Sequence, residues 1–204
     1  LRNETFRSHR FSNLKLTAGG GTQVQRTVAE QWKAQTGCNI LEAYGLTECS
    51  PGVCGNIPNA PWDGSVGVPL PSTEVSIRGD GFRDLGVAPD EASIPEHTGE
   101  ICVRGPQVMQ GYWQKPEETA NVMRDGWLRT GDVGYMNAKG VITITDRMKD
   151  MILVSGFNVY PNEVENVIAS MPGVLEVGVV GVPSAKSGET VKAVIVRKDE
   201  TITA

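Results

Sequence analysis

Leu14-Lys15-Leu16-Thr17-Ala18-Gly19-Gly20-Gly21-Thr22-Gln23-Val24-Gln25 decides how the opening of this chain folds. The alternating run 14–17 predicts a short strand, and the glycine triplet predicts a loop after it. Thr22 and Gln25 stand at capping-box spacing. Val24, Val28 and Trp32 then recur every four residues, as on one buried helical face. Gly37 supplies a left-handed stop. Residues 40–44 read as a second strand, so residues 1–60 are expected to form part of an α/β layer.

Further along, residues 58–71 are rich in turn formers, and beyond them the period becomes two. Residues 74–78, 99–104 and 141–145 alternate as half-buried strands, the last of them after an Asn137-Ala138-Lys139-Gly140 turn. Residues 61–147 therefore predict a small antiparallel β subdomain, with one short helix over 116–123. The charged joint Asp146-Arg147-Met148-Lys149-Asp150 ends it. A strand over 151–154 and a loop follow. Pro161 then opens a helix with Val164, Val167, Ile168 and Met171 on one side. Strands over 174–182 and 191–196 complete an α+β unit over 148–204 that ends before its pattern closes.

Bulk properties narrow the class. With 204 residues, 39% hydrophobic and 21% charged, the chain is globular in composition and long enough for a real core. A net charge of -5 speaks against general nucleic-acid binding and against docking on anionic lipid by charge alone. Cys38, Cys49, Cys54 and Cys102 form no Cys-x-x-Cys pair, and only His9 and His97 accompany them, so zinc is not expected. Isolated thiols suit a reducing cytoplasm. No apolar run approaches the roughly 20 residues of a membrane span. The expectation is a cytoplasmic protein, at most peripheral at the inner face of the membrane.

Three motifs carry chemistry. Backbone N–H groups of Gly19, Gly20 and Gly21 at the head of a helix can face a phosphate. They lack a P-loop lysine and dinucleotide spacing, however, and the plainer reading is a tight turn. Tyr44-Gly45-Leu46-Thr47-Glu48 places a ring, a hydroxyl and a carboxylate at the end of a strand, where α/β sheets take ligands. Tyr44 can stack on a base, Thr47 can donate to a phosphate oxygen, and Glu48 can hold Mg²⁺ as a hard oxygen ligand. The plainer reading is a strand end with a capping pair. In Arg129-Thr130-Gly131-Asp132 the carboxylate can take two ribose hydroxyls, although a lone Asp is usually a turn residue. Arg147, across one predicted hairpin, can reach the same sugar or its phosphate.

Taken together, residues 126–132, 146–152 and 154–161, with 16–21 and 105–113, resemble the adenylate-forming superfamily of acyl-CoA ligases. The nearest resemblance is to bacterial long-chain fatty-acid–CoA ligases, and it runs over essentially the whole chain. It implies that residues 1–147 are the C-terminal part of a large nucleotide-binding domain and 148–204 a hinge and the beginning of a small C-terminal domain. It implies an ATP-dependent reaction of a fatty acid through an acyl-adenylate to a coenzyme A thioester, with AMP and pyrophosphate released and Mg²⁺ as cofactor. By the same resemblance Tyr44 and Gly45 lie at the adenine, Thr47 at the α-phosphate and Glu48 on Mg²⁺, the last two as catalytic residues. Asp132 and Arg147 bind ribose, while Gly19, Gly20 and Gly21 border adenine and acyl chain. Lys149 is the hinge, and Gly156 passes the coenzyme A arm.

Arg129 and Met148 depart from residues frequent in such ligases, but neither is a proposed ligand. The family's Lys-ended phosphate loop and its adenylation lysine have no counterpart between residues 1 and 204, and Lys198 stands in the wrong context to serve. The fragment alone is therefore expected to be inactive. Two rival readings are a ligase for another carboxylic acid and a non-catalytic nucleotide-binding module.

Overall fold

The computed structural model describes residues 3–58 and 60–198. They fall into two compact units, one running to Thr130 and including Gly134–Ile144, the other comprising Gly131–Val133 and the chain from Thr145 onward.

The first unit begins with α1, Glu4–Ser8, whose N-cap Asn3 accepts a hydrogen bond from the Phe6 N–H at 3.1 Å. β1, Thr17–Gly20, α2, Arg26–Thr36, and β2, Ile40–Gly45, follow, with β1 parallel to β2 and Thr17 opposite Ile40. The strand thus starts where the alternating run 14–17 ends and takes in Gly19 and Gly20, where the sequence predicts a loop. The ladder to β2, rather than the alternation of Leu14 and Leu16, defines it. The glycines suit a close neighbour: a Cβ on Gly20 would stand 3.0 Å from the Ala43 carbonyl oxygen.

Two further expectations for this stretch need correction. Gln25 is the N-cap of α2 and makes no side-chain capping bond, so Thr22 and Gln25 form no capping box. The Val24 N–H, which lies before the N-cap, donates to the carboxyl group of Glu42 at 3.1 Å and so ties the entry to α2 to β2. The Val24, Val28 and Trp32 stripe is not buried either; it lines an open cleft of about 530 Å³ with Thr17, Gly19 and Ile40. Gly37 does end α2 in the left-handed region, at φ 79°.

β3, Gly52–Gly55, returns antiparallel to β2, and β4, Val68–Pro69, extends the sheet to the order β1-β2-β3-β4. The antiparallel sheet expected next consists of β5, Glu74–Arg78, and β6, Gly99–Arg104, then, after α3, Pro116–Val122, of β7, Met123–Arg124, β8, Trp127–Met136, and β9, Ile142–Arg147. Its order is β5-β6-β8-β7, with β9 beside β8. The β8–β9 hairpin turns at 137–140 as the sequence predicts, because Asn137 Oδ1 accepts from the N–H groups of Lys139 and Val141. Asp132 lies within β8, not in a turn.

Where the two sheets of this unit meet, Ile77, Ile101, Leu128 and Ile142 are fully buried together with Val53, Val103, Cys49 and Cys54. Each large aliphatic side chain contributes about 1.5–3 kcal/mol by leaving water. The 56–67 loop is fixed over this core by backbone bonds from Ile142 N–H to the Gly67 carbonyl at 2.8 Å and from Val66 N–H to the Ile142 carbonyl at 2.9 Å.

The second unit contains β10, Ile152–Val154, β11, Phe157–Val159, α4, Pro161–Ala169, β12, Val174–Ser184, and β13, Gly188–Arg197, in the sheet order β11-β10-β13-β12. The loop expected after residue 154 is in fact a tight hairpin. Ser155 at φ 51° and Gly156 at φ 86° form its two-residue turn, whose twist matches the flanking strands. On α4, Val164 and Ile168 are half-buried, but Val167 is exposed, and Met171 lies beyond the end of the helix and is exposed too, so the apolar stripe is narrower than its periodicity predicts.

Gly67 sits at φ 81°, and a Cβ there would enter the peptide unit of Gly55. Gly67→Ala is therefore expected to destabilise this protein by on the order of 3 kcal/mol, read as a lowered urea midpoint with little change in slope.

Candidate functional site

β2 alternates, so Ile40, Glu42 and Tyr44 share its buried face. Tyr44 is 9% exposed and packs into the central apolar cluster. Glu42, which the sequence reading passed over, is only 4% exposed. One of its oxygens accepts from the Val24 N–H and the other from the Trp62 indole N–H at 2.6 Å, so it joins the glycine-bearing segment to the 56–67 loop. Burial raises its pKa above the ordinary carboxylate value, against the lowering effect of the two donors. The signal available in the sequence was a carboxylate at an inward-facing strand position.

Gly45 ends β2 against Pro51, whose carbonyl oxygen occupies the place where a Cβ would project. That close approach lets the chain reverse through a 3₁₀ turn, Thr47–Cys49, closed by Ser50 in the left-handed region at φ 55°. Thr47 is exposed and Glu48 half-buried on this turn. Cys49, the last residue of the turn, and Cys54 on β3 are buried in the apolar cluster, and that burial pushes their thiols up to about 11 and about 12.

A second segment grips the turn. The Met109 N–H donates to the Glu48 carbonyl at 2.7 Å, and the Ser50 hydroxyl donates to the Gln107 carbonyl at 3.0 Å. The Gln107 side-chain amide donates to the Thr73 hydroxyl at 2.7 Å and to the Gly52 carbonyl at 3.2 Å. Tyr112 completes the arrangement, its phenol donating to Glu48 Oε1 at 2.7 Å. That bond, aided by burial, raises the phenol pKa.

In the second unit, Asp132 and Arg147 come together across the hairpin, as the sequence reading expected. Arg147 Nε stands 3.4 Å from Asp132 Oδ1, the arginine largely exposed and the aspartate side chain 13% exposed. Gly131 accepts the Met148 N–H at 2.8 Å, and exposed Lys149 lies in a turn closed from Asp150 N–H to the Arg147 carbonyl at 3.0 Å. Asp146, also missed from the sequence, is buried and accepts from the N–H groups of Arg147 at 2.8 Å and Asn162 at 3.0 Å. It thereby caps the start of α4. Gly156 has open space around its Cα, so here its positive φ alone favours glycine.

The set is one of oxygen donors on a turn at the end of β2 in one unit, and a carboxylate–guanidinium pair in the other. Chemically, such groups bind hydroxyls, phosphates and a hard cation; no acid–base or nucleophilic pair is evident in them.

Comparison with known proteins agrees with this chemistry. The profile of the AMP-binding enzyme family matches residues 1–113, and that of the AMP-binding enzyme C-terminal domain matches residues 163–204. A long-chain-fatty-acid–CoA ligase of Escherichia coli O157:H7 is 51% identical over 208 residues, and one of Yersinia pestis is 52% identical; each alignment covers 100% of this chain and 35% of the relative. The chain thus spans about a third of the length of the curated relatives it matches. Among solved structures, ATP-bound MatB from Rhodopseudomonas palustris superimposes with a TM-score of 0.83 at 38% identity, over 93% of this chain and 36% of that one.

The state of Glu42 generates a pH prediction. A carboxyl whose folded pKa lies above its unfolded value of about 4.3 contributes stability that is full below that value and lost as pH rises through the folded pKa. Glu42→Gln has no such loss. Urea titrations from pH 4 upward are therefore expected to show Glu42→Gln gaining on the native sequence as pH rises. A difference independent of pH would contradict the raised pKa.

Proposed function

This chain belongs to the AMP-binding enzyme family, and on that premise we propose that the whole protein is an ATP-dependent long-chain fatty-acid–CoA ligase. In the first half-reaction a carboxylate oxygen of the fatty acid attacks the α-phosphorus of ATP, and the bond to the pyrophosphate oxygen breaks. In the second, the coenzyme A thiol attacks the acyl carbonyl carbon; the thiol proton leaves to solvent and AMP departs. Thioester, AMP and pyrophosphate are the products. The observation that carries the reading is the identity of about half the residues with ligases of that name along the full chain.

The chain's own residues divide the work by positioning and charge rather than by covalent catalysis. Tyr44 and Gly45 form the wall beside adenine, with Gly19, Gly20 and Gly21 bordering the base and the acyl chain. Thr47 donates to the α-phosphate. Asp132 and Arg147 hold the ribose, the carboxylate accepting from its hydroxyls. In the family reading the large domain ends at residue 147, Lys149 is the pivot of the small domain, and Gly156 borders the path of coenzyme A.

Glu48 suits magnesium in one specific way. Its Oε2 has no partner among the described residues, and those residues contain no group of three or more His, Cys, Asp or Glu able to hold a metal by themselves. Mg²⁺ characteristically takes one or two carboxylates together with substrate phosphates. Bound there, it would supply positive charge against the phosphate oxygens.

The test uses the full-length protein with ATP, coenzyme A and saturated acids of graded length. Long-chain acids are expected to give the highest kcat/KM, and Glu48→Gln to lower adenylate formation by about 100-fold. Preference for aryl or short acids would point to a ligase of another carboxylate, and no AMP release with any acid to a nucleotide-binding module.

A further inference from the structure

The segment Gly105-Pro106-Gln107-Val108-Met109-Gln110-Gly111-Tyr112-Trp113 has no assigned part in the reaction, yet it is bonded to the Thr47–Ser50 turn at several points. We infer that Tyr112 is a positioning residue for the Glu48 carboxylate, aiming Oε2 at a magnesium ion delivered with the nucleotide. This rests on the reading of Glu48 as the metal ligand.

Three observations carry it. The phenol donates to Oε1 at 2.7 Å and is the side-chain partner of Glu48 among the described residues, so one oxygen is occupied and the other stays available. The Glu48 main chain is fixed by the same segment, through the Met109 N–H at 2.7 Å, so backbone and side chain are held together. Tyr112 is itself anchored: its N–H donates to the Thr119 hydroxyl at 2.9 Å, and that hydroxyl donates to the Lys115 carbonyl at 2.8 Å.

Gly111 makes this anchor possible, because at φ 152° a Cβ there would press on Thr119 Cγ2 at 2.7 Å. Gly105 does the same for Gln107, whose side-chain oxygen occupies the space where a Cβ would stand. The two glycines and the glutamine thus form a brace, and its polar tip is the Tyr112 hydroxyl. A half-buried carboxylate without such a partner samples several rotamers, and all but one must be given up when a cation binds. A fixed donor on one oxygen removes that freedom beforehand, as outer-shell partners of metal ligands do.

The experiment separates metal-dependent binding from binding as such. In the full-length protein, the affinity for a non-hydrolysable ATP analogue is measured by calorimetry with and without Mg²⁺, and the ratio of the two Kd values reports what the metal adds. Tyr112→Phe is expected to lower that ratio about tenfold or more while leaving the metal-free Kd unchanged. A role confined to folding would weaken both affinities alike, and equal weakening or an unchanged ratio overturns the inference. Glu48→Gln should reduce the ratio to near one. If it does not, the metal-ligand reading itself fails, which is a distinct result. In the Glu48→Gln background Tyr112→Phe should have no further effect on the ratio. A loss persisting there also overturns the inference, even if Tyr112→Phe lowers the thermal midpoint.

Discussion

The end of β2 lies so close to the carbonyl of Pro51 that no side chain fits at position 45. This contact allows β2 to reverse within a few residues and return as β3, with Tyr44 paired to Cys54 across the ladder. The reversal lifts Thr47 and Glu48 out of the sheet on a rigid turn and buries Cys49 beneath it. A larger residue at 45 would push the strands apart and move the turn with them. The core and the candidate site therefore depend on the same steric constraint.

The turn is then held by polar bonds from outside the sheet. Backbone carbonyls at a chain reversal need donors: those of Leu46 and Thr47 accept from the turn's own Cys49 and Ser50 N–H groups, while those of Glu48 and Gly52 accept from the Met109 N–H and the Gln107 side chain, and the Ser50 hydroxyl donates back to the Gln107 carbonyl. Such bonds each contribute modestly, on the order of 1 kcal/mol, but several converging on one turn leave it little freedom. Glu42 acts similarly earlier on β2, where its buried carboxyl group ties two loops to the strand. Its raised pKa reflects the electrostatic cost of that position, and stability is exchanged there for a defined arrangement of loops. Asp146 binds the end of β9 to the start of α4 in the second unit by the same logic.

Much of the fold could be read in the residues. Period-two runs marked β5, β6 and β9, Pro116 and Pro161 marked the starts of α3 and α4, and Gly37 marked the end of α2. Local patterns mislead where a distant partner competes with them. Residues 14–17 alternate like a strand, but pairing begins at Thr17 because β2 lies there. Thr22 and Gln25 have capping-box spacing, but α2 begins only at Arg26 with Gln25 as its N-cap, so Thr22 lies outside the helix start. Ser155-Gly156 resembled an open loop, although both residues adopt the positive φ of a hairpin turn.

The sequence by itself indicates the AMP-binding family, since the runs 16–21, 105–113, 126–132, 146–152 and 154–161 stand together in that order, whereas the 44–48 and 129–132 motifs each have a plainer local reading when taken alone. It also determined the alternation of α/β and antiparallel segments, because hydrophobic period and turn residues are local properties. The bond from Tyr112 to Glu48, across 64 positions of sequence, and the bridge that Glu42 makes between two loops arise from the folded backbone alone. Hydrogen bonds between distant side chains follow from the path of the backbone, and no periodicity records them. The structure likewise decided that Gly45 is a packing glycine, because the atom it must admit belongs to a residue that reaches it only after the chain has turned.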